Sequence, residues 1–153
     1  MRDELTMSQQ SSIQYFYEID GYAIDEQETS SWLQFYLKVK GEKLSVLRII
    51  FYSDEKLLEM NQQYLGHDYY TDIITFPLSR HPIEAELYIS VDRVKDNALQ
   101  FGVAWDQEMR RVIIHGLLHV LGNEDSSVEL KQLMSLKEDE ALRMFNSRER
   151  DLS

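Results

Sequence analysis

The alternation of apolar and polar positions along the chain predicts four β-strands. The first covers 13–19, where aromatic and polar residues alternate imperfectly, and the clearest covers 44–52, which is rich in β-branched and aromatic residues. Two more strands are predicted at 72–76, which Pro77 should end, and at 84–90, where every second residue is apolar. Four such segments are enough to form one sheet.

Apolar residues at helical spacing occupy most of the chain between and after these strands. The predicted helices cover 26–39, 53–66, 91–101 and 106–121, and a capping box at Ser126–Glu129 opens a fifth. The fifth helix carries an apolar stripe that we expect to pack in the core, formed by Leu130, Leu133, Met134, Leu136 and Leu142.

The order of these elements predicts a single α+β domain. A chain of 153 residues is long enough for one domain with a substantial core, and it shows no internal repeat or linker. We therefore expect a mixed sheet of about four strands packed with about five helices over 13–153, preceded by a disordered segment at 1–12.

Composition limits the chemistry that is open to this domain. The chain has no cysteine, which excludes a thiolate zinc site and a cysteine nucleophile. It has no apolar stretch of the roughly 20 residues that a membrane span requires, and its N-terminus is too polar for a secretory signal. We expect a cytoplasmic protein with no membrane partner.

The acidic balance bears on nucleic-acid binding. A formal net charge of -11 opposes phosphate binding over the chain as a whole. Residues 38–48, however, hold Lys38, Lys40, Lys43 and Arg48 against Glu42 alone. This window is either a phosphate-facing patch or a strand edge protected by lysines.

Two histidines in the apolar segment before Gly122 point to a metal site. On a helix, positions 115 and 119 lie on one face with Cβ atoms about 5–6 Å apart, so the imidazoles of His115 and His119 can converge on one ion. The spacing alone is weak evidence, since about one chain in ten of this composition would carry it by chance.

A third ligand can come from the acids that follow the helix. Gly122 is placed to adopt the left-handed conformation and turn the chain back, which brings a carboxylate at 124 or 125 within reach of the histidines. Because Glu124 and Asp125 are adjacent, only one of them is expected to point at the ion.

The segment 115–125 reads His-Gly-Leu-Leu-His-Val-Leu-Gly-Asn-Glu-Asp and resembles H-G-x-L-H-L-x-G-Y-D-H, the signature of the YbeY family of metal-dependent endoribonucleases. The strand at 85–90 approximates a further family block, G-D-I-x-I-S. A third block, N-x-x-Y-R-x-x-D-x-P-T-D-V-L-S-F-P, is matched by Asn61, Tyr64, Asp68, Thr71, Asp72, Phe76 and Pro77.

The resemblance implies a single-strand-specific endoribonuclease that acts in ribosomal RNA maturation and ribosome quality control. It aligns Asp125 with the last family histidine, which makes Asp125, beside His115 and His119, the expected third ligand at the end of a central helix. One divalent ion is implied, with Zn²⁺ expected, because two histidines and a carboxylate form open zinc sites. Ribosomal RNA and ribosomal subunit proteins are the implied partners, and DNA is not.

Two features at the matched blocks leave roles open. The arginine that the family places after Tyr64 is Leu65 here, and His67 is a candidate replacement cation or a solvated loop residue. Asp72 is expected either to orient the surroundings of the metal or to cap backbone amides. No general base is assigned, so the reacting group is expected to be water activated by the ion.

Three other interpretations compete with the nuclease. A zinc peptidase of the H-E-x-x-H type needs a glutamate where this chain has Gly116, which cannot transfer a proton. An iron oxygenase uses two histidines and one carboxylate, but no cosubstrate-binding residues are identified. The third is a non-catalytic ribosome assembly factor in which the metal only holds the C-terminal helix in place.

Overall fold

Helices pack on both faces of one four-stranded sheet. The computed structural model describes residues 12–152, with side chains described over 12–147. The disorder predicted for 1–12 lies outside the described residues, except that Ser12 belongs to the first strand. In chain order the elements are β1 (Ser12–Tyr17), α1 (Glu26–Val39), β2 (Leu44–Tyr52), α2 (Asp54–Leu65), β3 (Ile73–Arg80), β4 (Ile83–Ser90), α3 (Val91–Phe101), α4 (Trp105–Val120) and α5 (Val128–Leu152).

The sheet is mixed, with the strand order β1-β2-β4-β3. β1, β2 and β4 run parallel, and β3 is antiparallel to β4. The α+β architecture predicted from the sequence, with about four strands and about five helices, is confirmed. Over the described residues no helix combines the length and the apolarity needed to cross a membrane.

The main core lies between the sheet and three helices, α1, α4 and α5. Inward residues of β2 and β4, such as Leu47, Ile49 and Leu87, pack there with Trp32 and Ile113. On the opposite face of the sheet, α2 contacts β3 and β4. The buried face of α4 is broad, because the helix contacts the sheet, α3 and α5.

The prediction that Pro77 ends a strand at 72–76 is wrong. β3 continues to Arg80 and pairs with β4 through an irregularity between Pro77 and Ser79. β3 is an edge strand, and a proline is tolerated on an edge or at a bulge because no ladder hydrogen bond need be lost there.

Two predictions about α5 also need correction. Ser127, and not the predicted box at Ser126–Glu129, caps the helix, since its Oγ accepts a hydrogen bond from the backbone N–H of Leu130. In the predicted apolar stripe, Leu133 and Leu136 are exposed. The buried face instead contains Met134, Glu138, Ala141, Leu142 and Phe145, so it includes a carboxylate that the predicted stripe did not.

Trp32 on α1 holds α5 in place. Its indole Nε1 donates a buried hydrogen bond of 2.8 Å to the carbonyl oxygen of Ala141. Its ring also meets Phe145 edge-on, with ring centroids 5.6 Å apart. The position of Glu138 on α5 therefore depends on this contact between the two helices.

Replacing Trp32 by Phe should lower the free energy of unfolding by about 1–3 kcal/mol, because the substitution removes the hydrogen bond and leaves a small cavity. Urea unfolding measures the loss. The matched control is Trp105→Phe at a partly exposed tryptophan, which should cost under about 1 kcal/mol. Equal costs at the two tryptophans would contradict this role of Trp32.

Candidate metal centre

α4 and the turn after it bring the predicted ligands together. Gly122 has a φ of 97°, the left-handed conformation predicted for it, and its N–H donates to the carbonyl of His119. Asn123 reinforces the turn, since its side-chain amide donates 3.0 Å to the carbonyl oxygen of Leu118 and its Oδ1 accepts a hydrogen bond from Lys137 on α5. The chain then returns toward the histidines at Asp125.

His115, His119 and Asp125 converge on one point. The two Nε2 atoms are 3.1 Å apart, and Oδ2 of Asp125 lies 3.4 Å from each of them. Helix geometry alone left either Glu124 or Asp125 as the third ligand. In the structure Asp125 reaches the histidines, whereas Glu124 borders a separate depression. All three converging side chains are half-buried, which leaves one side of the group open to solvent.

These separations fit a divalent ion. Four ligands placed tetrahedrally at about 2.0–2.1 Å from an ion are about 3.3–3.4 Å from one another, whereas neighbouring positions of an octahedron at the same bond length are about 2.9 Å apart. The triangle formed by the three ligand atoms matches the tetrahedral spacing better. The group could therefore hold a metal ion with a fourth position left for water or substrate.

Glu138 of α5 fixes the ring of His115 from behind. Nδ1 of His115 lies 2.6 Å from Oε2 of Glu138, whose other oxygen accepts a 2.7 Å hydrogen bond from Arg111. Arg111 also donates to Asp139 at 2.7 Å. A carboxylate on Nδ1 holds the proton on that nitrogen and leaves Nε2 with its lone pair facing the group.

The surroundings of His115 favour positive charge. Burial on its own lowers the pKa of His115, but the hydrogen bond and charge of Glu138, with the charges of Asp72 and Asp125, outweigh it and raise the pKa above its ordinary value. Burial raises the pKa of Asp72, partly offset by the charge of His115 and by hydrogen bonds. A positive ion would be stabilised by the same negative field.

Glu138 and Arg111 were not predicted from the sequence. A signal was present, because Glu138 lies four residues after Met134 on the face that continues through Ala141 and Phe145. An acid on the buried face of a helix needs a partner, and an arginine together with a histidine on the neighbouring helix meets that need.

An open groove of about 660 Å³ lies over this group. It is lined by His115, His119 and Asp125 and by residues from the end of α2 to β3, namely Asn61, Leu65, His67, Tyr69, Thr71, Asp72, Ile73, Ile74 and Thr75. The two matched sequence blocks, 61–77 and 115–125, therefore meet at one site.

Asp72 contributes to the wall of this groove and to the local backbone. Its carboxylate accepts a hydrogen bond of 3.2 Å from Asn97 and also accepts from backbone amides at 72 and 73. Both roles predicted for Asp72 are thus compatible with its position. His67 and Leu65 also line the groove, which places the substitution of the family arginine beside the candidate metal centre.

The cationic window at 38–48 is partly neutralised by acids of the same chain. Lys40 pairs with Glu140 at 3.0 Å, and Arg48 pairs with Glu84 at 3.1 Å and Glu86 at 3.5 Å. Two of its four cations are therefore engaged, which argues against a phosphate-facing patch. The strand-edge interpretation is wrong, because β2 lies between β1 and β4 in the sheet.

Fold and site together define a single-domain α+β protein with a His-His-Asp group at the floor of an open groove, an arrangement typical of metal-dependent hydrolases. A family model described as Endoribonuclease YbeY matches residues 14–146. The chain belongs to the YbeY family, and the resemblance found in the sequence is confirmed.

Individual relatives agree over most of their length. A Bacteroides thetaiotaomicron protein named Endoribonuclease YbeY is 45% identical over 122 residues, which cover 79% of this chain and 89% of the relative. A Cytophaga hutchinsonii protein of the same name is 45% identical over 139 residues, covering 87% and 95%. A Thermotoga maritima protein solved in solution is 25% identical, with a TM-score of 0.62 over 91% of this chain and 92% of that one.

Two neighbouring acids that bind the same arginine provide a test of the contact behind His115. Glu138→Ala should lower the free energy of unfolding by about 1–3 kcal/mol in chelator, because it leaves Arg111 and His115 without their buried partner. Asp139→Ala removes a contact of the same length at a carboxylate that is about half exposed, and it should cost under about 1 kcal/mol. If denaturant titration gave the two variants equal stability, the buried network would not have the role described.

Proposed function

We propose that this protein is a single-strand-specific, metal-dependent endoribonuclease that acts in ribosomal RNA maturation and ribosome quality control. Membership of a family described as Endoribonuclease YbeY supports a hydrolytic nuclease. The observation that carries the metal dependence is the convergence of His115, His119 and Asp125 at tetrahedral spacing in an open groove. We assign 13–153 to one YbeY-like domain.

We assign His115, His119 and Asp125 as the ligands of one divalent ion, with Zn²⁺ as the expected metal because imidazole and carboxylate suit it. An ion held by these residues would supply Lewis-acid chemistry, the activation of water and the neutralisation of charge on the phosphoryl oxygens. Glu138 orients His115, and we propose that the RNA strand lies in the groove on the open side of the group. No side chain is assigned as a general base.

Local packing argues against a zinc peptidase. The peptidase interpretation needs a glutamate at position 116, and a Cβ on Gly116 would lie 2.5 Å from Cδ1 of Ile73 and 3.1 Å from Cδ2 of Leu87. Position 116 therefore faces the sheet and not the groove. A carboxylate there would be buried against aliphatic side chains and could not reach a substrate.

A non-catalytic assembly factor remains the second candidate. It is favoured by the side chains of the groove, where Leu65 replaces the family arginine and no lysine or arginine is among the described lining residues. In that function the ion would only hold the C-terminal helix α5 in place, because its ligands would join α4 to the turn at Asp125 that precedes α5. Ribosomal RNA and ribosomal subunit proteins are the proposed partners in both cases, and the cytoplasm is the proposed location.

Metal content tests the ligand assignment. Protein purified and dialysed against zinc should hold one ion per chain by elemental analysis, and Asp125→Ala should lose most of it because two histidines alone leave the site incomplete. Glu124→Ala is the matched control, since this neighbouring acid lies away from the group. Retention of the ion by Asp125→Ala together with its loss from Glu124→Ala would reverse the assignment.

Cleavage separates the two candidate functions. The metal-loaded protein should cut single-stranded segments of ribosomal RNA, and EDTA or His119→Ala should abolish cutting while the protein stays folded by circular dichroism. Absence of cutting by the loaded protein, combined with a lower melting temperature in EDTA, would instead indicate a structural ion and an assembly factor.

A further inference from the structure

One wall of the groove is formed by exposed apolar and aromatic side chains. We call Leu65, His67 and Tyr69 the aromatic wall; all three line the same groove as the candidate metal centre. Tyr69 is 56% exposed and Leu65 is 43% exposed. Large side chains of this kind at a binding groove point to a ligand that offers flat or apolar surface.

The aromatic wall is held in place before any ligand binds. The rings of His67 and Tyr69 stack with centroids 5.1 Å apart and 17° between their planes. The Tyr69 hydroxyl lies 3.0 Å from Nδ1 of His67. Buried Asn61 anchors the segment 66–70 that carries these rings. Its side-chain Nδ2 donates a 2.9 Å hydrogen bond to the backbone carbonyl of Tyr69, and its backbone carbonyl accepts a 3.1 Å hydrogen bond from the N–H of His67.

The charges around the wall do not suit a phosphate backbone. Acidic Asp72 and Asp125 line the groove, whereas the described lining residues include no lysine or arginine. The nearby Arg93 packs over the ring of Tyr70 and is paired with Asp54 at 2.6 Å. Apart from the ion, contacts between this groove and RNA would therefore have to be mainly uncharged.

We propose that the aromatic wall stacks unpaired nucleobases of the RNA substrate beside the candidate metal centre, with Tyr69 as the main stacking residue. This rests on the proposed endoribonuclease function. Every base has a flat face that can stack on an aromatic ring, so such binding tolerates many sequences. It requires unpaired bases, because those in a duplex are already stacked, and it thus accounts for a preference for single strands.

Two measurements on the whole protein test the stacking. The first is quenching of 2-aminopurine in a short single-stranded oligoribonucleotide, measured in EDTA at several salt concentrations. The second is steady-state cleavage of the same oligomer by the metal-loaded protein. The variants are Tyr69→Ala, Tyr69→Phe and the control Phe35→Ala, an exposed aromatic of α1 that does not line the groove.

Tyr69→Ala should weaken binding roughly 5- to 150-fold, the range expected for loss of one stacked base. Its KM should rise with little change in kcat, because the contact holds substrate and transition state equally. Tyr69→Phe should retain most of the affinity, because the ring remains and only the hydroxyl contact with His67 is lost. Phe35→Ala should behave like the unaltered protein. The dependence of affinity on salt should keep its slope in Tyr69→Ala, since no phosphate contact is removed.

An oligomer with abasic sites separates stacking from backbone contacts. The unaltered protein should bind it as weakly as Tyr69→Ala binds the normal oligomer. Equal binding of normal and abasic oligomers, or an unchanged affinity and KM in Tyr69→Ala, would overturn the stacking while leaving the nuclease intact. Quenching through Tyr69 without cleavage would overturn the nuclease and keep the stacking, and absence of both binding and cleavage would overturn both.

Discussion

The hydrogen bond between His115 and Glu138 is the contact on which the candidate site depends. An imidazole can present either nitrogen, and its ring can rotate, so two histidines on one helix face do not by themselves make a chelate. Here a carboxylate 2.6 Å from Nδ1 fixes the ring and directs Nε2 toward His119 and Asp125. Arg111 in turn holds Glu138, and α5 is held against α1 by Trp32. The site is therefore a product of packing between three helices.

Much of the architecture was predictable because local signals agreed with tertiary packing. The bounds of α1 and α3 follow directly from apolar spacing and from the glycines after them, and the left-handed turn at Gly122 follows from the lack of a side chain there. The extent of β3 was not predictable, because the effect of Pro77 depends on whether its strand is central or at an edge. That is a property of the sheet and not of the segment.

In the candidate site, too, some features were predictable from the local sequence and others depend on tertiary packing. The two histidines are four residues apart on one helix, so their proximity was predictable from the local sequence. Asp125 was preferred to Glu124 because of the family resemblance, and it is Asp125 that lies near the histidines. Glu138 was missed because its partner on α4 is 23 residues away in the chain, and its own helix suggested a plain leucine stripe. Which leucines of α5 are buried depends on how α5 lies against α1 and α4, and apolar spacing did not determine that rotation.

The two departures from the family signature both lower the positive charge at the site. A carboxylate in place of a histidine lowers the charge of an occupied centre, and Leu65 removes a cation from the groove. Both changes weaken the attraction for phosphate, in a chain with a net charge of -11. The exposed rings of His67 and Tyr69 next to the centre would offer the proposed single-stranded RNA an uncharged contact.

The measurement that tests the central claim most directly is an anomalous-difference crystal structure of the zinc-loaded protein. The account predicts one strong peak about 2.0–2.2 Å from Nε2 of His115, Nε2 of His119 and a carboxylate oxygen of Asp125, with Glu138 still on Nδ1 of His115. A peak elsewhere, or fully loaded crystals in which these three side chains point apart, would contradict it.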